Sequence, residues 1–253
     1  MANAIYPDLK GRTVLVTGGG QGIGAATVRL FAEQGAKVGF VDIAEGPSQA
    51  LAEELNKAGG TVHFEKADVT DIEALKAAIA DITAKLGTIT VLVNNAAHDQ
   101  RHKFFEVTPD YFDDRVAINL KHAFFAAQAV IPAMIEAGGG AIVNFGSCSW
   151  LMGSEDLTVY ATLKSAAYGF TRLLAKQFGK DNIRVNCVLP GWIMTERQIA
   201  LWVDQAGEEA IFRNQALKRK ILPEEIAKAV LFLASDQASG MTSQQIIVDG
   251  GWV

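Results

Sequence analysis

A tyrosine and a lysine four residues apart, Tyr160 and Lys164, are the pair in this chain best placed to move a proton. They sit in Val-Tyr-Ala-Thr-Leu-Lys-Ser-Ala-Ala-Tyr-Gly-Phe, a run with little to break a helix. On a helix the i, i+4 spacing brings both side chains to one face. A phenol with a reference pKa of about 10 is a poor base at neutral pH, but a nearby ammonium favours its phenolate. A shift of about three units corresponds to roughly 4 kcal/mol. Tyr160 would then exchange a proton with a substrate hydroxyl. Alone, such a pair is an ordinary set of helix neighbours, so its meaning depends on the elements that hold it.

Those elements begin with Thr13-Val-Leu-Val-Thr17, a β-branched run of the kind that forms a fully buried strand. It leads into Gly18-Gly19-Gly20-Gln21-Gly22-Ile23-Gly24, then into a helical run from Ala25 to Gln34 that Gly35 stops. Lys37–Val41 is the next strand, closed by Asp42. Together they make a βαβ unit of about 30 residues. The glycines fit Gly-x-x-x-Gly-x-Gly rather than Gly-x-Gly-x-x-Gly, with the same physics. A tight turn allows close backbone approach, and the helix N-terminus faces a pyrophosphate. Asp42 can accept hydrogen bonds from an adenosine ribose and repel a 2′-phosphate, favouring NAD over NADP. The alternative for Asp42 is a helix N-cap or loop acid. No Arg or Lys follows it closely.

Alternation continues through helix 47–58, strand 61–66 with Asp68-Val69 beyond it, and helix 71–86. Strand 91–93 precedes Asn94-Asn95-Ala96-Ala97, helix 109–137 carries Asn119, and strand 141–145 leads to Ser147. The Tyr160 helix runs to about 178, strand 183–189 stops at Pro190-Gly191, and helix 224–234 and strand 245–249 complete the pattern. No composition break interrupts 1–253. The expected fold is α/β: a single-domain, Rossmann-type, doubly wound parallel sheet with helices on both faces. Such sheets bind ligands at the carboxyl ends of their strands, where Asp42, Asp68, Asn95, Ser147 and Pro190 fall.

Composition narrows the classes. Apolar residues make up 49% and charged residues 20% of 253, the profile of a soluble enzyme. A net charge of −5 argues against nucleic-acid or acidic-membrane partners, and Lys218-Arg219-Lys220 is too short a basic run to reverse that. No run approaches the roughly 20 apolar residues of a membrane span, and no signal-peptide pattern opens the chain. Cys148 and Cys187 are too few for a disulfide framework or metal cluster, so a reducing, cytoplasmic setting is expected. His63 and His122 read as structural histidines.

In order, Thr17-Gly18-x-x-x-Gly22-x-Gly24, Asp68, Asn94-Asn95-Ala96, Asn119, Ser147, Tyr160-x-x-x-Lys164 and Pro190-Gly191 resemble the short-chain dehydrogenase/reductase family along nearly the whole chain. The departure is Ala97, where the family usually has glycine. The resemblance implies hydride transfer with Tyr160 as acid/base. Lys164 would lower its pKa and bind the nicotinamide ribose, Ser147 would hold the reacting oxygen, and Asn119 would anchor a water in a proton relay. It further implies cofactor contacts from Gly18, Gln21, Gly22, Ile23, Gly24, Asp42 and Ile43. Asp68 and Val69 would flank the adenine, and Asn95 and Ala96 would line the path. Pro190, Gly191, Ile193 and Thr195 would approach the carboxamide and phosphates. A homotetramer is implied too, with helices near 109–137 and 158–178 at one interface and the C-terminal strand at another.

Two stretches, His98-Asp99-Gln100-Arg101-His102-Lys103 and Asn144 to Leu157, together with Gly251-Trp252, resemble the bacterial aldose 1-dehydrogenase branch, of D-xylose and L-arabinose type. A sugar needs several polar groups and an apolar face. His98, Asp99, Gln100, Asn144, Ser149 and Trp150 would supply that mixture, with Trp192 and Trp202 either over the substrate or in the core. The resemblance implies NAD-dependent oxidation of the anomeric hydroxyl to an aldonolactone, with no metal. Residues 98–103 could instead be a solvated loop. Other readings stay open: a sugar acid met by Arg101 or Lys103, a different polyol, a 3-oxoacyl reductase, or an NAD(H)-sensing protein without catalysis.

Overall fold

Runs rich in Val, Ile and Leu that are buried on both faces form parallel strands, and the amphipathic runs between them become the covering helices. The computed structural model describes residues 4–253. Its strands are β1 (Thr13–Thr17), β2 (Lys37–Asp42), β3 (Thr61–Lys66), β4 (Ile89–Asn94), β5 (Gly140–Phe145), β6 (Ile183–Pro190) and β7 (Gln245–Val248). They form one seven-stranded sheet in the order β3-β2-β1-β4-β5-β6-β7, with every pairing parallel. The order reverses between β1 and β4, where open parallel sheets hold their ligands. The expected doubly wound fold is therefore present.

The period of two along each strand divides the core into two layers. Val14, Val16, Phe40, Val91 and Val93 face α1 (Gly22–Glu33), α2 (Glu45–Lys57) and α10 (Pro223–Ala234). Leu15, Val41, Leu92, Ile142 and Val185 face α3 (Ile72–Leu86), α5 (His122–Glu136) and α7 (Thr158–Phe178). Each fully buried side chain of this size contributes on the order of 2 kcal/mol. The layers fix the sheet, and the sheet fixes the loops at its carboxyl edge.

Three expectations change. The single helix over 109–137 is α4 (Pro109–Val116) and α5 joined by a π-helical turn, Ala117–Lys121, which carries Asn119. π-Turns recur at functional sites, and the apolar periodicity on either side hides one residue of slip. Contrary to the expectation on membrane spans, this run from Pro109 to Glu136 is long and apolar enough to cross one by length and composition. Here Ala126, Ala127, Val130, Ile131 and Met134 are instead buried against the sheet layer. Finally, the sequence shows no clear element between Pro190 and residue 224, yet the chain there forms α8 (Glu196–Leu201) and α9 (Gln205–Asn214). Their N-caps are Thr195 and Asp204, whose side chains accept from the Gln198 and Gly207 amides. A short α6 (Ser149–Met152) follows Ser147.

Candidate active site

A cleft of about 1260 Å³ opens along the carboxyl ends of β1, β2, β4, β5 and β6. At one end, Gly18, Gln21, Gly22, Ile23 and Gly24 line it with Asp42, Ile43, Asp68 and Val69. Asn95, Ala96, Pro190, Gly191, Ile193 and Thr195 line its middle. The sequence-predicted cofactor residues thus come together. The close approach is made by Gly24: a Cβ there would lie 1.9 Å from the Gly18 carbonyl oxygen and 2.7 Å from Asn95 Nδ2. Asn95 Nδ2 donates to the carbonyls of Thr17 and Gly18, 3.0 and 2.8 Å away, tying the glycine turn to β4. Gln21, in extended conformation, precedes α1, and its side chain does not cap the helix. That leaves amides of the first turn facing the cleft, a ready anion site.

Asp42 does two jobs. Its carboxylate oxygens accept from the amides of Gly20 (2.8 Å) and Ala44 (2.9 Å), so the loop-acid alternative is part of the truth. It also lines the cleft, with Ile43, Ala44 and Ala67 beside it and no cation among them. A carboxylate oxygen has a second lone pair for a ribose hydroxyl.

The reacting end gathers Ser147, Tyr160 and Lys164 on the same wall. The Ser147 side chain favours the ionised form of the Tyr160 phenol and accepts from the Ser149 amide at 3.1 Å. Lys164 is buried, with Nζ donating to the Phe145 carbonyl at 3.0 Å and lying 5.8 Å from the Tyr160 ring centroid. The expected lowering of the phenol by Lys164 is not seen in the protein alone. Burial pushes Tyr160 above its ordinary value, the charge of Asp99 adds to this, and the Ser147 side chain opposes it. Burial also brings Lys164 down to about 8. Low local polarity acts on both groups, and the Lys164 proton is directed to a backbone carbonyl rather than to the phenol.

The dry wall also carries a stability consequence. Between about 8 and its ordinary 10.5, the unfolded chain keeps the Lys164 proton and the folded chain releases it. Stability therefore rises with pH through that window. Urea unfolding of the protein and of Lys164→Met at the two ends of the window should show the parent gaining up to about 3 kcal/mol on the variant. A difference that stays constant would refute the depressed ammonium.

Other expected site residues divide. His98, Asp99, Ser149 and Trp192 line the cleft. The Ser149 hydroxyl is buried there with no hydrogen-bond partner among the described residues. Asn144 is corrected: it lies inside β5, accepts from Asn94 at 2.8 Å and donates to Thr171 at 3.0 Å, so its alternation points it into the sheet layer. Trp150 is corrected too, since α6 turns its indole outward, away from the cleft lining. Asn119 is buried, with Oδ1 accepting from the His98 amide (3.0 Å) and Nδ2 donating to the carbonyls of His98 and Arg115. Its side chain ties the loop after β4 to the π-helical turn.

That loop is more than a solvated turn. Arg101 pairs with Asp156 at 3.1 Å and lies 4.3 Å from the Trp202 ring. His102 accepts from the Val159 amide and meets Tyr111 at 3.1 Å, whereas Lys103 stays exposed beside Glu106. Sequence reasoning missed Arg197, Gln198, Met152 and Ser154 as cleft residues, and Trp252 as a wall. Only Asp249 hints at the last: its carboxylate accepts from the amides of Gly251, Trp252 and Val253, curling the end of the chain inward. Outside the cleft, His63 is held by Glu65, Asp81 and Lys85, and His122 is buried and kept neutral, down to about 3.

A parallel sheet with a phosphate-ready turn at one end of its cleft and a Ser-Tyr-Lys wall at the other defines a dinucleotide-type oxidoreductase fold. The chain belongs to the short-chain dehydrogenase/reductase family. Residues 18–253 match the family profile described as Enoyl-(Acyl carrier protein) reductase. D-xylose 1-dehydrogenase of Caulobacter vibrioides is 48% identical over 252 residues, covering 100% of both chains. "Probable galactose dehydrogenase GalD" of Rhizobium meliloti is 47% identical over 97% of this chain and 96% of its own. Among solved structures, a 7α-hydroxysteroid dehydrogenase complexed with NADH superposes with a TM-score of 0.93 at 31% identity, over 99% of this chain and 98% of that one. A metagenomic blue fluorescent protein in complex with NADPH gives 0.91 at 34% identity, over 97% and 99%.

Proposed function

We propose that this protein oxidises the anomeric hydroxyl of a free aldose to the aldonolactone, with NAD as its cofactor. The observation that carries the substrate class is the charge balance of the reacting end. Both arginines there already have carboxylate partners, Arg101 with Asp156 and Arg197 with Asp99. Among the described residues of that end, a sugar acid would find no free cation beyond the buried Lys164. A neutral polyol instead meets hydroxyls and carboxylates along one wall. Trp192 and Trp252, their rings 6.4 Å apart, offer the apolar face. The full-length likeness to two proteins named as sugar dehydrogenases supports the same class. Asp42, without a neighbouring cation in the cleft, supports NAD over NADP.

When bound, the dinucleotide supplies the hydride acceptor and, in its oxidised form, a positive charge. The rest falls to the chain's own residues. Ser147 holds the reacting oxygen, and Tyr160 Oη, once it has lost its own proton, receives the hydroxyl proton as the carbon–oxygen bond becomes a carbonyl. Lys164 and the pyrophosphate-facing turn orient the reactants, so the transfer occurs between groups already in place. In the reverse direction the neutral phenol, favoured by burial, is the acid.

The test is NADH formation across D-xylose, L-arabinose, D-galactose, L-fucose, sugar acids and simple alcohols, each with NAD and with NADP. An acyl-thioester reduction arm with NADPH accompanies it. Strong turnover of one aldose with NAD is expected. Turnover confined to sugar acids or to the acyl arm would overturn the aldose reading. A homotetramer in a reducing, cytoplasmic setting belongs to the same reading. Exposed Phe124 and Leu173 on α5 and α7 support the association, and the unpaired thiols of Cys148 and Cys187 support the compartment. Sedimentation as a monomer would remove the association.

A further inference from the structure

We propose that Gln198 is a positioning residue for the sugar: its amide locks the Trp192 indole to Asp99 and so sets the wall that the substrate meets. This inference rests on the aldose reading above. Gln198 lies on α8, in the segment that follows β6, while Asp99 lies in the loop after β4. Gln198 Nε2 donates to Asp99 Oδ2 at 2.5 Å, and Gln198 Oε1 accepts from Trp192 Nε1 at 3.0 Å. The orientation of the amide is dictated by its partners. A carboxylate only accepts and an indole N–H only donates, so a group with one donor end and one acceptor end must stand between them.

The rest of the wall leaves Trp192 little freedom. The guanidinium of Arg101 lies 5.8 Å from its ring centroid and Trp252 packs on it at 6.4 Å. A Cβ on Gly207 of α9 would lie 3.1 Å from Trp192 Cη2. Gln198 is thus the hydrogen-bonded link that joins the indole to the loop after β4. It also keeps the Asp99 charge at a fixed place beside the Tyr160 and Lys164 wall, with Arg197 Nε 3.4 Å from the other carboxylate oxygen. Contacts to the non-reacting face of a sugar act equally before and during the reaction. Their loss therefore appears in KM for the sugar more than in kcat.

The test is a double-mutant cycle in the full-length protein, with D-xylose and L-arabinose as probes and NAD as cofactor. Gln198→Glu puts two carboxylates in contact and should raise the sugar KM about tenfold, with the NAD KM held within about twofold. Gln198→Met, which keeps the bulk and loses both hydrogen bonds, should give a similar rise. Asp99→Asn in the Gln198→Glu background restores a donor facing an acceptor, and the introduced carboxylate still accepts from the indole N–H. The double variant should therefore recover most of the sugar KM. In Asp99→Asn alone the amides can re-pair, and the acidic limb of the oxidation rate profile should move to lower pH as the charge near Tyr160 disappears. An unchanged sugar KM in Gln198→Glu and Gln198→Met, or a double variant no better than Gln198→Glu, overturns this inference alone. A parent protein that oxidises no aldose overturns the aldose reading and this inference with it.

Discussion

Turnover should fall by about a thousandfold when Tyr160 is replaced by phenylalanine, with dinucleotide binding retained. The substitution removes one oxygen and leaves the ring in the wall of α7. Lys164 keeps its bond to the Phe145 carbonyl, and Ser147 keeps the Ser149 amide, so the neighbouring geometry survives. What disappears is the group proposed to take or give the proton, and its titratable neighbours on that wall are committed elsewhere. Asp99 is engaged by Gln198 and Arg197, His98 is in contact with Arg115, and Lys164 is buried and turned to a backbone carbonyl. The check is paired: steady-state NADH formation for turnover and a fluorescence titration with NADH for binding. Turnover within about tenfold of the parent would remove Tyr160 from the chemistry, and with it the mechanism proposed above.

A second large effect is expected from a single methyl group at Gly24. The ideal Cβ would fall 1.9 Å from the Gly18 carbonyl oxygen and 2.8 Å from its carbon, both backbone atoms that no side-chain rotation can clear. Gly18 itself holds φ at +67°, and its carbonyl is the one that Asn95 Nδ2 grips. Gly24→Ala must therefore push the turn out of place, separating β1 from the first turn of α1. The NAD KM should rise by about a hundredfold, with kcat at saturation much less affected, because the lost energy is cofactor binding rather than proton transfer. Far-ultraviolet circular dichroism and a melting curve show whether the fold persists. An NAD KM that stays close to the parent's would mean that the turn is not where the pyrophosphate sits.

The two effects separate the ends of the cleft. Loss at Tyr160 acts on chemistry with binding intact, and loss at Gly24 acts on binding with chemistry intact. The Lys164 pH window reports how dry the wall at the reacting end is. Charge beside the phenol matters for the same reason. In a region of low polarity the Asp99 carboxylate reaches Tyr160, so whatever fixes Asp99 also tunes the phenol.

Much of this was legible in the residues because local rules govern it. β-Branched runs with both faces buried make parallel strands, the glycine turn announces its phosphate, and four-residue spacing puts Tyr160 and Lys164 on one helical face. Those features depend on neighbours a few residues away, so chain order suffices for the fold, the dinucleotide turn and the wall of Ser147, Tyr160 and Lys164. The parts that misled are those settled across the sheet. Asn144 looked like a cleft residue because it lies three positions before Ser147, but strand alternation turns it towards Asn94 and Thr171. Trp150 follows Ser149 in sequence and leaves the cleft because the short α6 rotates it outward. Gln198 carried no local signal, since Asp99 belongs to a distant loop and Trp192 precedes its helix. Which side chains of the 98–103 loop and of α8 face one another emerges only once the chain is folded. Those contacts join positions about a hundred residues apart, held together by the packed sheet rather than by any local pattern.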